Sequence, residues 1–164
     1  MQETQITYYK TPIGIAKIIG DKNGIQSVSV LDDDTVSDEL LNKSVPYCLQ
    51  ECVVQLEEYF NGKRASFGLT VNPKGTDFQK KVWKSLLQIP FGKTRSYLEQ
   101  SKALGDVKAI RAVASANGKN PLWIIIPCHR VIGSDGSLTG YAGGIWRKKW
   151  LLSHENPVKQ QSLF

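Results

Sequence analysis

Histidine is almost missing from this chain of 164 residues: there are two, and neither precedes His129. The first half therefore has few candidate metal ligands. Cys48 and Cys52, four apart, share one face of a helix pattern, and core packing explains them better than a metal site. No metal and no cofactor is expected. The third cysteine is Cys128; three thiols cannot all pair, and a thiol kept reactive needs a reducing compartment. No run of eighteen apolar residues exists, and Met1-Gln2-Glu3-Thr4 lacks the basic and apolar blocks of a secretory signal. A soluble cytoplasmic protein is expected, nuclear in a eukaryote, with no membrane partner. Internal repeats and low-complexity tracts are absent too.

Acidic residues are scarce in the second half. Residues 1–74 hold seven Lys/Arg against ten Asp/Glu, residues 75–158 hold thirteen against five, and Lys159 adds one more positive charge. The composition shifts at Asn72-Pro73-Lys74-Gly75. This predicts lobes 1–74 and 75–158, followed by a tail, 159–164. A basic lobe suits phosphate contacts, although a merely solvated face gives the same count.

In the first lobe, apolar runs at 6–9, 15–19 and 25–31 predict a three-stranded antiparallel meander, with Asn23-Gly24 marking a hairpin. An acidic surface loop follows at 32–39. Residues 46–60 show helical spacing at Cys48, Cys52, Leu56 and Tyr59. The second lobe opens with a capping box, Thr76 to Gln79, predicting a helix to about Leu87 with Phe78, Val82 and Leu86 inward. A second box, Ser96 to Glu99, opens a short helix ending near Leu104-Gly105. Asp106 caps a third over 107–117, completing a helix-turn-helix. That third helix carries small side chains around Lys108 and Arg111, and is poorly equipped to read bases from the major groove.

The most informative segment is Ile126-Pro127-Cys128-His129-Arg130-Val131. A thiol is strongly nucleophilic as thiolate, and a positive or hydrogen-bonding neighbour favours that form. Upstream, residues 122–126 read as a short buried strand between Pro121 and Pro127. Neighbours on a regular strand face opposite ways, so Cys128 and His129 can cooperate only if Pro127 ends the strand in a turn. Such a pair could serve a Cys-His-Glu hydrolase, which would turn over through an acyl intermediate and need an oxyanion hole.

Around this segment lie Phe78-Gln79-Lys80-Lys81-Val82-Trp83, Ile89-Pro90-Phe91-Gly92-Lys93-Thr94, Arg111-Ala112-Val113-Ala114, Asn120-Pro121 and Gly140-Tyr141-Ala142-Gly143-Gly144. In these motifs, from Gly75 to Glu155, the chain resembles the O6-alkylguanine-DNA alkyltransferases. The resemblance implies an α+β protein, with a ribonuclease-H-like antiparallel sheet lobe followed by a helical lobe carrying the helix-turn-helix. It also implies single-turnover DNA repair: Cys128 takes the alkyl group from O6-alkylguanine, and by extension from O4-alkylthymine. His129 would remove the thiol proton through a water, and Glu155 would hold and charge the imidazole.

By the same resemblance Tyr97 protonates the departing guanine and Asn120 ties the turn before the active-site strand. Tyr141 lines the base pocket, backbone groups of Cys128, Val131 and Ala142 read the guanine edge, and Trp123 fills a slot where a smaller residue is usual. The partner would be double-stranded DNA held through its minor groove by a monomer. Arg111 would enter the base stack behind the flipped nucleotide. Lys108, Ala109, Ala112 and Ser115 would lie along the groove, with Arg130, Thr94 and Ser96 nearby. The alkyltransferase-like sensors share this lobe but replace the cysteine, and remain the alternative from another class.

Overall fold

The structure, a computed structural model, describes residues 3–156, so the predicted tail at 159–164 lies outside the described residues. Two compact units divide it: residues up to Lys74 together with Pro121–Ile125, and Gly75–Asn120 together with the chain from Ile126 on.

The first unit holds the expected meander, β1 (Gln5–Thr11), β2 (Gly14–Asp21) and β3 (Gly24–Leu31), in the order β1-β2-β3. All pairings are antiparallel, with a register shift between Ile19 and Gly20. Ala16, Ile18 and the paired Val28 are buried on one face, the register shift lets Ile25 opposite Gly20 join them, and Ile15 is buried from the other face. Helix α2 (Tyr47–Phe60) packs on this sheet and buries Leu49, Cys52, Leu56 and Tyr59, while Cys48 is half-buried. The predicted acidic loop is more ordered than expected. It contains a 3-10 turn at Asp33–Thr35 and one turn of helix, α1 (Asp38–Leu41), capped by Ser37.

Residues 122–126 do not form the predicted strand. Leu122 makes a single parallel bridge to Val28, with Val28 N–H donating to Pro121 O (2.9 Å) and Trp123 N–H to Val28 O (2.9 Å). The chain then turns through Ile124, whose φ is 69°. An isoleucine in left-handed backbone is held there by its surroundings, and Ile124 is buried. The apolar run thus reflects burial rather than a strand. Together with Val71, which bridges Ile25, it covers the otherwise open edge of β3.

The second unit is helical. Helix α3 (Asp77–Leu86) begins with the predicted capping box, in which Thr76 and Gln79 bond reciprocally. Its buried face is Val82, Trp83 and Leu86, with Phe78 turned outward at 43% exposure. The expectation for Phe78 is corrected by Trp83: its indole N–H donates to Ala116 O at 2.8 Å, which rotates the inward stripe by one position. A second box at Ser96 and Glu99 opens α4 (Tyr97–Ala103). Gly105, at φ 90°, ends it in the left-handed conformation suited to glycine. Asp106 accepts from Lys108 N–H, but the third helix starts as a 3-10 turn, Val107–Ala109, before becoming α5 (Ile110–Gly118). Two short strands, β4 (Arg95–Ser96) and β5 (Val131–Ile132), pair in parallel, and α6 (Ile145–Glu155) closes the unit.

Helices α4 and α5 are joined by a buried amide pair. Gln100 Nε2 donates to Asn117 Oδ1 (2.9 Å), and Asn117 Nδ2 donates to Gln100 Oε1 (2.7 Å). Replacing one member strands the other's polar atoms in the interior, whereas replacing both removes the demand. Gln100→Leu or Asn117→Leu is expected to cost about 1–3 kcal/mol in urea unfolding, and the double variant less than the sum of the two.

Candidate active site

Pro127 turns the chain, and Cys128–Arg130 form one 3-10 turn. Cys128 N–H donates to Ile126 O (2.9 Å) and Arg130 N–H to Pro127 O (3.1 Å). The apolar run thus ends in a turn, the condition for Cys128 and His129 to cooperate; Cys128 is partly exposed and His129 fully buried. Asn120 Nδ2 donates to Ile126 O at 2.7 Å and its side chain also bonds the Cys128 thiol.

His129 Nε2 lies 2.7 Å from Glu155 Oε2, with both side chains excluded from solvent. Arg130 takes the other side of the same carboxylate: Nε donates to Oε1 at 2.7 Å and Nη2 to Oε2 at 3.1 Å. Arg130 Nη1 donates to Ile89 O (2.7 Å), and its guanidinium lies over the Phe91 ring. Asn156 Nδ2 donates to Gly92 O (3.0 Å); a Cβ on Gly92, whose φ is +81°, would sit 3.2 Å from Glu155 O. The segment 89–92 is therefore the bed on which the end of α6 rests. Arg130 is internal and committed to Glu155, which corrects its expected place against DNA. Glu155 is no solvated helix end.

Burial opposes ionisation of Glu155, yet the His129 hydrogen bond and the Arg130 charge outweigh it and hold the carboxyl well below the usual range. Burial pushes His129 down, and Arg130 and Lys148 reinforce this against the pull of Glu155. The resting imidazole is thus neutral, with the proton on Nε2 facing the carboxylate and the lone pair on Nδ1. Among the described residues His129 Nδ1 has no hydrogen-bond partner. Burial also raises the Cys128 thiol; Asn120, Lys148 and a backbone group only partly counter it. The low-dielectric interior thus favours the neutral thiol and imidazole together.

Sequence reasoning missed Lys148. It is 1% exposed on α6, its Nζ donates to Thr139 O (3.1 Å), and it sits over the Tyr97 ring, 5.7 Å from the centroid. Burial lowers it to about 8. Its spacing from Leu151 and Glu155, three and seven residues on, was the available signal for an inward position. Tyr97 O–H donates to the same Thr139 O (3.2 Å), and burial raises its phenol, with Cys128 near enough to add to the shift.

Lys108 in the 3-10 turn and Arg111, Ala112 and Ser115 on the outer face of α5 are all exposed. Ala109 is not among them, since it packs against Val82, Val113 and Ala116. Ser96 is buried with its hydroxyl accepting Glu99 N–H, while Thr94 is half-buried. Trp123 is buried in the first unit near Phe60, ring centroids 6.2 Å apart. Val131 is buried in β5, Tyr141 is half-buried, and Ala142 is exposed. His154 stacks on Trp150 at 5.0 Å. No group of His, Cys, Asp or Glu among the described residues could hold a metal ion, and no helix is long and apolar enough to cross a membrane.

The family model for the DNA-binding domain of 6-O-methylguanine DNA methyltransferase matches residues 77–157, and that for its ribonuclease-like domain matches 5–73. This chain belongs to that family. A methylated-DNA–protein-cysteine methyltransferase of Methanosarcina barkeri is 47% identical over 150 residues, 89% of this chain and 93% of the relative. The crystal structure of the Mycobacterium tuberculosis O6-methylguanine methyltransferase superposes with a TM-score of 0.82 at 41% identity, covering 94% of each chain. A structure of the M. tuberculosis protein OGT in complex with DNA gives 0.82 at 42%, covering 93% of this chain and 92% of that one. The methyltransferase fold of mixed α/β type, sheet first and helices after, is thus shared along nearly the whole length.

Glu155→Gln removes the charge that Arg130 needs and is expected to cost about 3–5 kcal/mol. Both His129 and Glu155 bind protons less readily folded than unfolded, so their contribution is complete above the ordinary histidine value of about 6.5. It falls with acidification, first through His129 and then, below about 4.3, through Glu155. Urea unfolding at pH 7.5, 5.5 and 4 reads this directly. A wild-type protein gaining stability between 7.5 and 5.5 would contradict it.

Proposed function

We propose that this protein repairs O6-alkylguanine in double-stranded DNA by moving the alkyl group onto Cys128, once per molecule. The observation that carries the reading is Cys128, a partly exposed residue, joined in one turn to a buried imidazole with a bare Nδ1 and a carboxylate behind it. The Cys128 proton passes through a water to His129 Nδ1, and the resulting imidazolium is paired at once by Glu155. The sulfur forms a bond to the alkyl carbon as the bond from that carbon to guanine O6 breaks. The bonding pair stays with the guanine, which takes a proton from Tyr97 O–H. Proton return from His129 to Tyr97 then balances the site. A thioether has no good leaving group, so water does not regenerate the thiol.

A stacked O6 substituent is out of reach of a nucleophile in a pocket, so the nucleotide must leave the helix, at a cost of a few kcal/mol. The outer face of α5 suits this task. Small Ala112 and Ser115 let the helix approach the minor groove, Lys108 meets phosphate, and Arg111 fills the vacated stack. Backbone groups of Val131 and Ala142, with the Tyr141 ring, line the guanine site. The match to relatives named for methylated DNA supports this assignment. The protein acts as a monomer in the reducing cytoplasm, or the nucleus of a eukaryote, where Cys128 stays a thiol.

Peptide mass analysis after mixing with a duplex containing one O6-methylguanine tests the reading on the tryptic fragment 120–130. One added CH2 on Cys128, limited to one equivalent, is expected. An unmodified fragment with retained preference for the damaged duplex would make the protein a sensor, and repeated turnover would make it a hydrolase. Arg111→Ala should slow transfer from the duplex about 10–100-fold, the cost of about 1–3 kcal/mol for one lost DNA contact. Transfer from free O6-benzylguanine base, which needs no flipping, should be unchanged in the same assay.

A further inference from the structure

Two buried cations on α6 have no task in the transfer scheme: Arg147, which bonds Gly143 O and lies over the Trp146 ring, and Lys148, which lies close to the reacting groups. Glu155 is taken by His129 and Arg130, and among the described residues no carboxylate pairs with Lys148. A buried ammonium held by a carbonyl oxygen alone is unfavourable in the resting protein. Its surroundings say what offsets that cost. From α4, Tyr97 places its ring under the ammonium and its hydroxyl on the Thr139 carbonyl that Lys148 also grips. From the 3-10 turn come Cys128, close enough for the two charges to influence one another, and neutral His129. Arg130, next along that turn, is neutralised by Glu155. Two of these neighbours become anionic during the reaction: the sulfur as it loses its proton and the phenol as it gives one up. A fixed charge that is uncompensated before these events and compensated during them stabilises the reacting state selectively.

Building on the transfer reading above, we propose that Lys148 is the positive pole of the site, an electrostatic positioning residue that favours thiolate at Cys128 and phenolate at Tyr97 through its anchorage on Thr139 O. It touches no substrate atom and acts through those two side chains.

The test compares the full-length wild type with Lys148→Met and Lys148→Gln. Two reactions are followed between pH 6 and 10: iodoacetamide labelling of Cys128, which reads the thiolate alone, and methyl transfer from the O6-methylguanine duplex. Both variants should be slower than wild type in both reactions by tenfold or more at pH 7.5, while melting no lower, since a buried charge has been removed. Wild-type labelling should rise with pH and break near 8, where Lys148 loses its proton, and the variants should lack that break. The break belongs to the coupled lysine and thiol together; Tyr97, raised above its ordinary value of 10.0, titrates higher and would leave it in place. Rates within threefold of wild type, or an unaltered break, would overturn the assignment. If either variant fails to fold, the other and the wild-type profile still decide. Slowed labelling in the variants with no methyl transfer in the wild type would sink the proposed function and leave the charge assignment to Cys128 standing.

Discussion

One carboxylate, Glu155, carries the site. It is buried at the end of α6, where the helix dipole disfavours negative charge, and it stays ionised because Arg130 clasps one side and His129 the other. Those contacts anchor the middle and the end of the 3-10 turn that begins at Cys128, so the geometry of the nucleophile follows from the pairing of a residue 27 positions away. The segment 89–92 supports the same junction through Ile89 O and Gly92 O. Burial first, with Arg130 and Lys148 adding to it, keeps His129 uncharged against the pull of Glu155, and a neutral imidazole is the form that can accept a proton.

The resting site is therefore an uncharged thiol and imidazole beside a buried ammonium. Charge separation is postponed until a proton moves, and the groups that receive it are already oriented: Glu155 behind His129, and Lys148 beside Cys128 and Tyr97. Fixed dipoles and charges in a water-poor site act more strongly than in solvent, because no solvent has to reorganise around the developing charge. A thiol held this way is less exposed to adventitious oxidants than a standing thiolate, which suits a residue used once.

Much of the local structure was legible in the sequence. Three apolar runs and Asn23-Gly24 pointed to the meander, the Ser96 and Thr76 boxes to two helix starts, and Pro127 had to end any strand before Cys128 and His129 could work together. Glu155 entered through the family resemblance, because no local pattern ties a carboxylate at a helix end to a turn 25 residues earlier. What was misread depended on tertiary partners. Phe78 was expected inward until the Trp83 indole found Ala116 O. The run 122–126 looked like a strand because burial, rather than strand pairing, selects its residues. Arg130 looked available to phosphate, since its partner is distant in sequence. Lys148 was passed over as one more charge in a basic helix, although its spacing from Leu151 and Glu155 placed it inside.

The central claim is that His129 rests as a neutral imidazole protonated on Nε2 toward Glu155, with Nδ1 free to take the thiol proton. Nitrogen-15 NMR of histidine-labelled protein, with His129→Gln to assign the resonance, measures this in the intact molecule. The account predicts at pH 7 a protonated Nε2 coupled to its hydrogen and an Nδ1 shift of a bare, pyridine-like nitrogen, unchanged down to a pH well below the ordinary histidine value. Two protonated nitrogens at pH 7, or the proton on Nδ1 with Nε2 bare, would contradict it.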